Sequence, residues 1–216
     1  MLYKNNTNRF IYRKNVIMSD MKYISNYKLF ESLQNKEYLY NLIEDVEDFP
    51  SKGITFKDIS YLLSDHKAVN IVVDDIYQHI KDRNIDIVLG LDARGFILGP
   101  MIANKLGVGF AMARKKGKAP EHYVYQKYDL EYGSNEMGIS PNIIKNGMNV
   151  HIHDDLLATG GSVDNVISLI EKMGGFVESV SFIIELKFLY GREKIKKQLE
   201  VSNKTSEYDI YSVLQY

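Results

Sequence analysis

The sequence predicts an α/β fold, a mainly parallel twisted sheet with helices on both faces. Two stretches carry this reading. Asn149–Ser162 runs as a strand, two carboxylates and a small glycine-rich turn, with a helix starting near Val163. Ile85–Leu91 is a near-continuous apolar run that ends in Gly90-Leu91-Asp92-Ala93-Arg94-Gly95-Phe96, and a helix to Leu106 follows. Apolar runs rich in β-branched residues are parallel strands buried on both faces. Repeated strand–turn–helix units build a parallel sheet.

Composition bounds the rest. With 216 residues, 45% of them hydrophobic, the chain can form one domain with appendages around a real core. It has no cysteine, which excludes disulfides, thiolate zinc sites and cysteine nucleophiles. No apolar run approaches the ~20 residues of a membrane span. The net charge of −1 argues against a dedicated nucleic-acid binder. The charge is uneven, however. Residues 1–36 hold seven Lys/Arg and two Asp/Glu, a net +5, while the remainder holds 20 against 26. This segment lacks periodicity and is expected to be a disordered basic extension, with Met18 or Met21 as candidate starts. A targeting peptide fits less well, because the apolar core and the Ser/Ala/Arg bias of such signals are missing. The domain proper is then 37–216.

Taken in order, Leu39, Leu42, Ile43 and Val46 predict a short helix over Lys36–Glu47, stopped by Asp48-Phe49-Pro50. Pro50 and Gly53 bracket a turn, and Ile54–Ile59 follows as an extended segment. Val69, Val72, Val73, Ile76, Tyr77 and Ile80 mark an amphipathic helix within 65–83. Val108–Ala113 is a short strand that leads into the basic run Arg114–Pro120. Residues 119–140 show no sustained period and are too long for an idle connection, which fits a lid. Met148–Asp155 is the central strand and Val163–Met173 a helix ended by Gly174-Gly175. Phe176–Leu186 is a long strand, a polar helix runs to Leu199, and Tyr208–Tyr216 closes the chain as a strand.

The chemistry concentrates at Asp154–Ser162. The small side chains of Ala158, Thr159, Gly160, Gly161 and Ser162 let backbone N–H groups approach a ligand. The helix behind adds unpaired N–H groups and the positive end of its dipole. That is a phosphate cradle. Asp154 and Asp155 would repel a phosphate but suit a hydroxyl-bearing group beside it, and a ribose 5-phosphate satisfies both. Arg94 sits on the second strand–turn–helix unit, where it can meet a pyrophosphate or cap the helix through Asp92. A pyrophosphate with about three negative charges needs cations. Lys115 and Lys118, supported by Arg114, lie at the carboxyl end of a predicted parallel strand, where α/β sites form. His151 and His153 share one strand face; they are core histidines or, less readily, metal ligands without an evident third partner.

Asp-Asp-Leu-Leu-Ala-Thr-Gly-Gly-Ser resembles the phosphoribosyl pyrophosphate motif of the type I phosphoribosyltransferases. Gly-Leu-Asp-Ala-Arg-Gly-Phe, Leu130-Glu131-Tyr132-Gly133, Gly191-Arg192-Glu193-Lys194 and the ending Ser-Val-Leu-Gln-Tyr resemble the members that act on adenine. The resemblance runs from about Asp48 to Tyr216. It implies transfer of the 5-phosphoribosyl group from phosphoribosyl pyrophosphate to adenine, giving AMP and pyrophosphate in purine salvage. It further implies a hood from residues 48–60 plus the C-terminal strands, and a mobile lid over about 116–140. Ile54, Thr55, Phe56 and Lys57 would line the base site. Glu131 would exchange a proton with the base, and Tyr132 would wall the closed site. Arg94 and Lys118 would act on the leaving group. Mg²⁺ would be held by substrate and water near Asp154 and Asp155, without direct protein ligands. A cytoplasmic homodimer, without nucleic-acid or membrane partners, is implied as well. Lys52 and Tyr61 depart from the family, which commonly has Pro at both. The alternatives are transfer to another base, hypoxanthine or guanine, or a sensor of phosphoribosyl pyrophosphate that binds nucleic acid.

Overall fold

The computed structural model describes residues 31–125, 136–201 and 209–216. They fall into two units, one up to Ser64 and one from Asp65 to Tyr216.

In the first unit, helix α1 covers residues 31–40. It includes residues 31–36, so the boundary expected at 36 falls inside a helix. The helix expected to reach Glu47 instead stops at 40, and Glu44–Val46 forms strand β1. Four acids between 44 and 48 would sit at the negative end of the helix dipole. In β1, Asp45 meets Lys57 at 2.6 Å. β1 pairs antiparallel with β2 (Phe56–Asp58). Asp48 makes the turn between them with φ 56°, and its Oδ1 accepts the Gly53 N–H at 2.6 Å. Phe49 and Phe56 meet edge to face at 5.3 Å. Helix α2 (Ser60–Ser64) follows, with Asp58 accepting hydrogen bonds from the Ser60 amide and hydroxyl.

The second unit opens on α3 (His66–Ile80), capped by the Asp65 side chain on the Ala68 N–H. Then come β3 (Ile87–Leu91), α4 (Gly95–Leu106), β4 (Gly109–Lys115), β5 (Val124–Tyr125), β6 (Met137–Ile139) and β7 (Asn149–Leu157). α5 (Gly161–Lys172), β8 (Phe176–Glu185), a 3-10 turn at Lys187–Leu189, α6 (Gly191–Val201) and β9 (Asp209–Gln215) complete it. The seven strands lie in the order β5-β6-β4-β3-β7-β8-β9. β4, β3, β7, β8 and β9 run parallel, and β6 and β5 add on antiparallel. The mainly parallel sheet is as expected. From β3 the chain crosses through α4 to β4, and from β7 through α5 to β8, in opposite directions along the sheet. Right-handed crossovers then place α4 and α5 on opposite faces.

Three details differ from the sequence reading. β9 pairs with β8 in the main sheet, so the closing strand does not belong to a hood. β4 runs on to Lys115, which puts Arg114 and Lys115 on a strand and only Lys116–Pro120 beyond it. Residues 119–140 contain β5 and β6, whose two and three residues are too short to show a period.

β7 organises both faces. Val150 and Ile152 join the apolar layer under α5 and α6 with Val180, Phe182, Val166 and Ile195. His151 and His153 alternate with them and point to the other face. His151 Nδ1 lies 2.7 Å from Ser179 Oγ and its Nε2 2.8 Å from Ser181 Oγ; His153 Nδ1 lies 2.9 Å from Ser181 Oγ. These are core histidines, and the described residues contain no group of three or more His, Cys, Asp or Glu fit to hold a metal ion. Burial pushes His151 down to about 3, with further help from His153, Arg83 and His79, and pushes His153 down to about 4. α4 docks on β7 through Gly95, where a Cβ would stand 2.5 Å from the His153 carbonyl oxygen and 3.3 Å from Asp154 Oδ1.

Gly95→Ala is expected to destabilise the fold by about 1–3 kcal/mol, as overpacking against backbone does; urea unfolding measures it. Acidification is a second test. In the unfolded chain both imidazoles protonate as pH falls through 6.5, whereas in the folded chain they resist until about 4 and 3. Stability is therefore lost below pH 6.5, by about 2 kcal/mol per imidazole at about pH 5. His153→Asn should make that decline shallower, and parallel wild-type and variant curves would contradict the assignment.

Candidate active site

β3 and β7 are neighbours whose connections leave in opposite directions, and ligands of open α/β sheets sit outside the carboxyl ends of such strands. At the end of β7 stand Asp154 and Asp155. The two carboxylates interact with each other, and each has a further neighbour. Asp155 turns to Arg94, whose Nε lies 2.8 Å from Asp155 Oδ2. Asp154 bounds a cleft of about 270 Å³ together with Leu156–Val163, Asn165 and Lys194. Its Oδ1 also accepts the Asp155 N–H at 2.9 Å. Burial, and then the charge of Asp155, push the Asp154 carboxyl well above the usual range. Burial raises Asp155 too, and Arg94 opposes that rise.

The expected cradle residues Ala158, Thr159, Gly160, Gly161 and Ser162 all line this cleft. The turn needs Gly160 for two reasons. Its φ is 76°, and a Cβ there would stand 2.8 Å from the Gly191 carbonyl oxygen. α5 starts at Gly161, so its first N–H groups have no partners within the helix.

The cations gather around Asp92, whose side chain is only 4% exposed. Its Oδ2 lies 3.4 Å from Arg114 Nε and accepts the Lys115 N–H at 3.3 Å, and its Oδ1 is 3.9 Å from Lys118 Nζ. Arg114 also lies 5.9 Å over the Phe96 ring. Asp92 thus organises three of the four expected pyrophosphate ligands, while the fourth, Arg94, reaches Asp155.

The structure unites Asp154 and the loop, and joins Asp155 to Arg94. Ile54, Thr55, Phe56 and Lys57 stand in the first unit, around β2; Ile54 is exposed and Lys57 is paired with Asp45. Glu131 and Tyr132 lie outside the described residues. Sequence reasoning missed the organising role of Asp92, and it missed Asn165 and Lys194 altogether. Asn165 interrupts the apolar run Val163, Val166, Ile167, and that polar intrusion was its only signal. Lys194 belongs to the Gly-Arg-Glu-Lys stretch, which without the family resemblance reads as structural.

A mainly parallel α/β domain that sets a carboxylate pair against an amide-lined glycine turn has the form of a ribose-phosphate-binding transferase. A model of the phosphoribosyl transferase domain matches residues 59–211. An adenine phosphoribosyltransferase of Clostridium novyi (strain NT) is 49% identical over 174 residues, which is 81% of this chain and 95% of that protein. One from Clostridium botulinum (strain Loch Maree / Type A3) is 47% identical over the same share of each. The crystal structure of adenine phosphoribosyltransferase from Thermoanaerobacter pseudethanolicus superposes with a TM-score of 0.75 at 39% identity, covering 84% of this chain and 99% of that one. The chain belongs to the phosphoribosyltransferase family. Within it, it falls among the adenine phosphoribosyltransferases.

Removing the cation beside Asp155 gives a direct check of the site's electrostatics. Arg94→Met should push the carboxyl pair further up, and a ¹³C carboxyl titration of wild type and variant reads the change; identical curves would show that Arg94 does not hold Asp155.

Proposed function

We infer that this protein transfers the 5-phosphoribosyl group of phosphoribosyl pyrophosphate to adenine, giving AMP and pyrophosphate in purine salvage. The observation that carries the reading is the single cleft shared by Asp154 and the Ala158–Ser162 loop beside the Asp155–Arg94 pair. The ring nitrogen of adenine bonds to the anomeric carbon of the ribose, the bond from that carbon to the pyrophosphate oxygen breaks, and the nitrogen loses its proton.

The roles of individual residues follow from their chemistry. Backbone N–H groups of Ala158, Thr159, Gly160, Gly161 and Ser162 hold the 5-phosphate. Asp154 and Asp155 accept hydrogen bonds from the ribose hydroxyls. As pyrophosphate departs, the sugar becomes positive, and a carboxylate held at a charge-unfavourable place gains more from that charge than from the neutral ground state. Arg94, Arg114, Lys115 and Lys118 take the negative charge of the leaving group. Glu131 accepts or returns the proton at the base nitrogen. Ile54, Thr55, Phe56 and Lys57 hold the base. Tyr132, with the lid over 116–140, keeps water from the electron-poor sugar.

Mg²⁺ fits this donor set. Two carboxylates raised by burial favour a cation beside them, and with no three-ligand cluster among the described residues, substrate oxygens and water would supply most of its shell. It would neutralise pyrophosphate charge, with Asp154 and Asp155 holding it through water. A homodimer accords with the exposed Ile97 and Met101, one helical turn apart on α4, and the exposed Met112 on β4. No helix among the described residues is long and apolar enough to cross a membrane. A cytoplasmic enzyme without nucleic-acid partners belongs to the same proposal, and the net charge of −1 speaks against a dedicated nucleic-acid binder.

A pyrophosphate-release assay tests the reading. Adenine should support Mg²⁺-dependent turnover, and hypoxanthine and guanine should not. Asp155→Asn and Glu131→Gln should each lower kcat/KM by about a hundredfold. Turnover of Asp155→Asn equal to wild type would reject the role of that residue.

A further inference from the structure

We propose that Lys194, on the first turn of α6, is a ligand of the 5-phosphate and supplies the cation that the glycine loop lacks. The inference rests on the functional reading above and extends it to a second element of the fold. Residues 158–162 bring N–H dipoles but no charge, while a phosphate ester carries roughly −1.5 to −2. Asp154 stands at the same cleft, and Asp155 and Asp164 are close by in the chain and buried. Among the described residues that bound the cleft, Lys194 is the only cation.

The geometry puts its ammonium at the loop. Nζ lies 3.9 Å from the point that a Cβ on Gly161 would occupy. Its side chain is 40% exposed, open to the cleft, and Asp164 Oδ2 stands 3.3 Å from Nζ on the inner side. A carboxylate behind a lysine fixes the direction of the ammonium, which carries three donors. The first turn of α6 is itself fastened to the loop. A Cβ on Gly191 would collide with the Ala158 carbonyl oxygen and stand 3.0 Å from the Gly160 nitrogen. Arg192 holds that turn from outside, with Nε 2.8 Å from Glu185 Oε1, a second contact to Glu185 Oε2, and bonds to the Ile210 carbonyl and the Ser212 hydroxyl. Asn165 also bounds the cleft. It is buried, and neither atom of its amide has a hydrogen-bond partner. A buried amide without a partner is costly, so a polar guest is favoured there.

Calorimetric binding of AMP, adenosine and ribose 5-phosphate to wild type, Lys194→Gln, Lys194→Arg and Asp164→Asn separates this role from a structural one. Lys194→Gln should weaken AMP and ribose 5-phosphate about tenfold or more and leave adenosine unchanged. Lys194→Arg should recover most of the loss. Asp164→Asn removes the partner but keeps the cation, so it should hold or tighten AMP. Equal loss of AMP and adenosine in Lys194→Gln, no loss of either, or a loss of AMP in Asp164→Asn would each overturn the proposal. If Lys194→Gln does not fold, the Asp164→Asn and Lys194→Arg arms decide. Wild type that binds ribose 5-phosphate but makes no AMP would count against the functional reading alone.

Discussion

Burying Asp154 and Asp155 side by side at the end of β7 is the constraint around which the second unit is built. Two neighbouring carboxylates repel each other and lose water, and burial drives both away from ionisation. The fold offsets this with a cation beside one and an open cleft beside the other. Asp155 finds Arg94, brought in by the close docking of α4 at Gly95. Asp154 is left at the cleft, where a cationic or positively polarised guest is the missing partner. A surface pair of this kind would contribute little, but here the carboxylate is almost fully sheltered, so its partner matters.

The histidine–serine ladder fixes where those carboxylates fall. β7 and β8 shift register between Val150 and His151, just before the ladder begins. From there His151 stands opposite Ser179 and His153 opposite Ser181. One further slip would turn every side chain of the strand to the other face and exchange Asp154 with Asp155. Aliphatic side chains tolerate sliding because dispersion is nondirectional, whereas ring nitrogens facing hydroxyls do not. The two imidazoles are thus a registration device for the residues that follow them.

The parts visible in the sequence are those that depend on local period and local chemistry. The apolar run of β3, the amphipathic α3, and the strand, turn and helix around Asp154–Ser162 all show in the order of residues, because each signals itself through neighbours in the chain. Asp92, Lys194 and Asn165 do not, since their meaning comes from neighbours 22 to 40 positions away in the chain or from one intrusion in an apolar face. Asp92 reads as a turn residue until β4 lies beside β3 and delivers Arg114. The path of β1 was hidden because Leu42, Ile43 and Val46 fit a helical period as well as they fit a hairpin, and only the partner strand decides between them. The closing strand went to the main sheet, where Glu185 and Ser212 share Arg192.

The contact between Gly160 and Gly191 has a consequence for anyone who would borrow this cleft. Two peptide planes more than thirty residues apart touch where neither can carry a side chain, so neither segment is a portable module. Grafting the nine-residue motif onto another α/β scaffold would leave it without its lateral buttress, and the amides would splay. The smallest transplantable piece is the motif, the intervening hairpin of helix and strand, and the turn that begins with Gly191, moved together as one block.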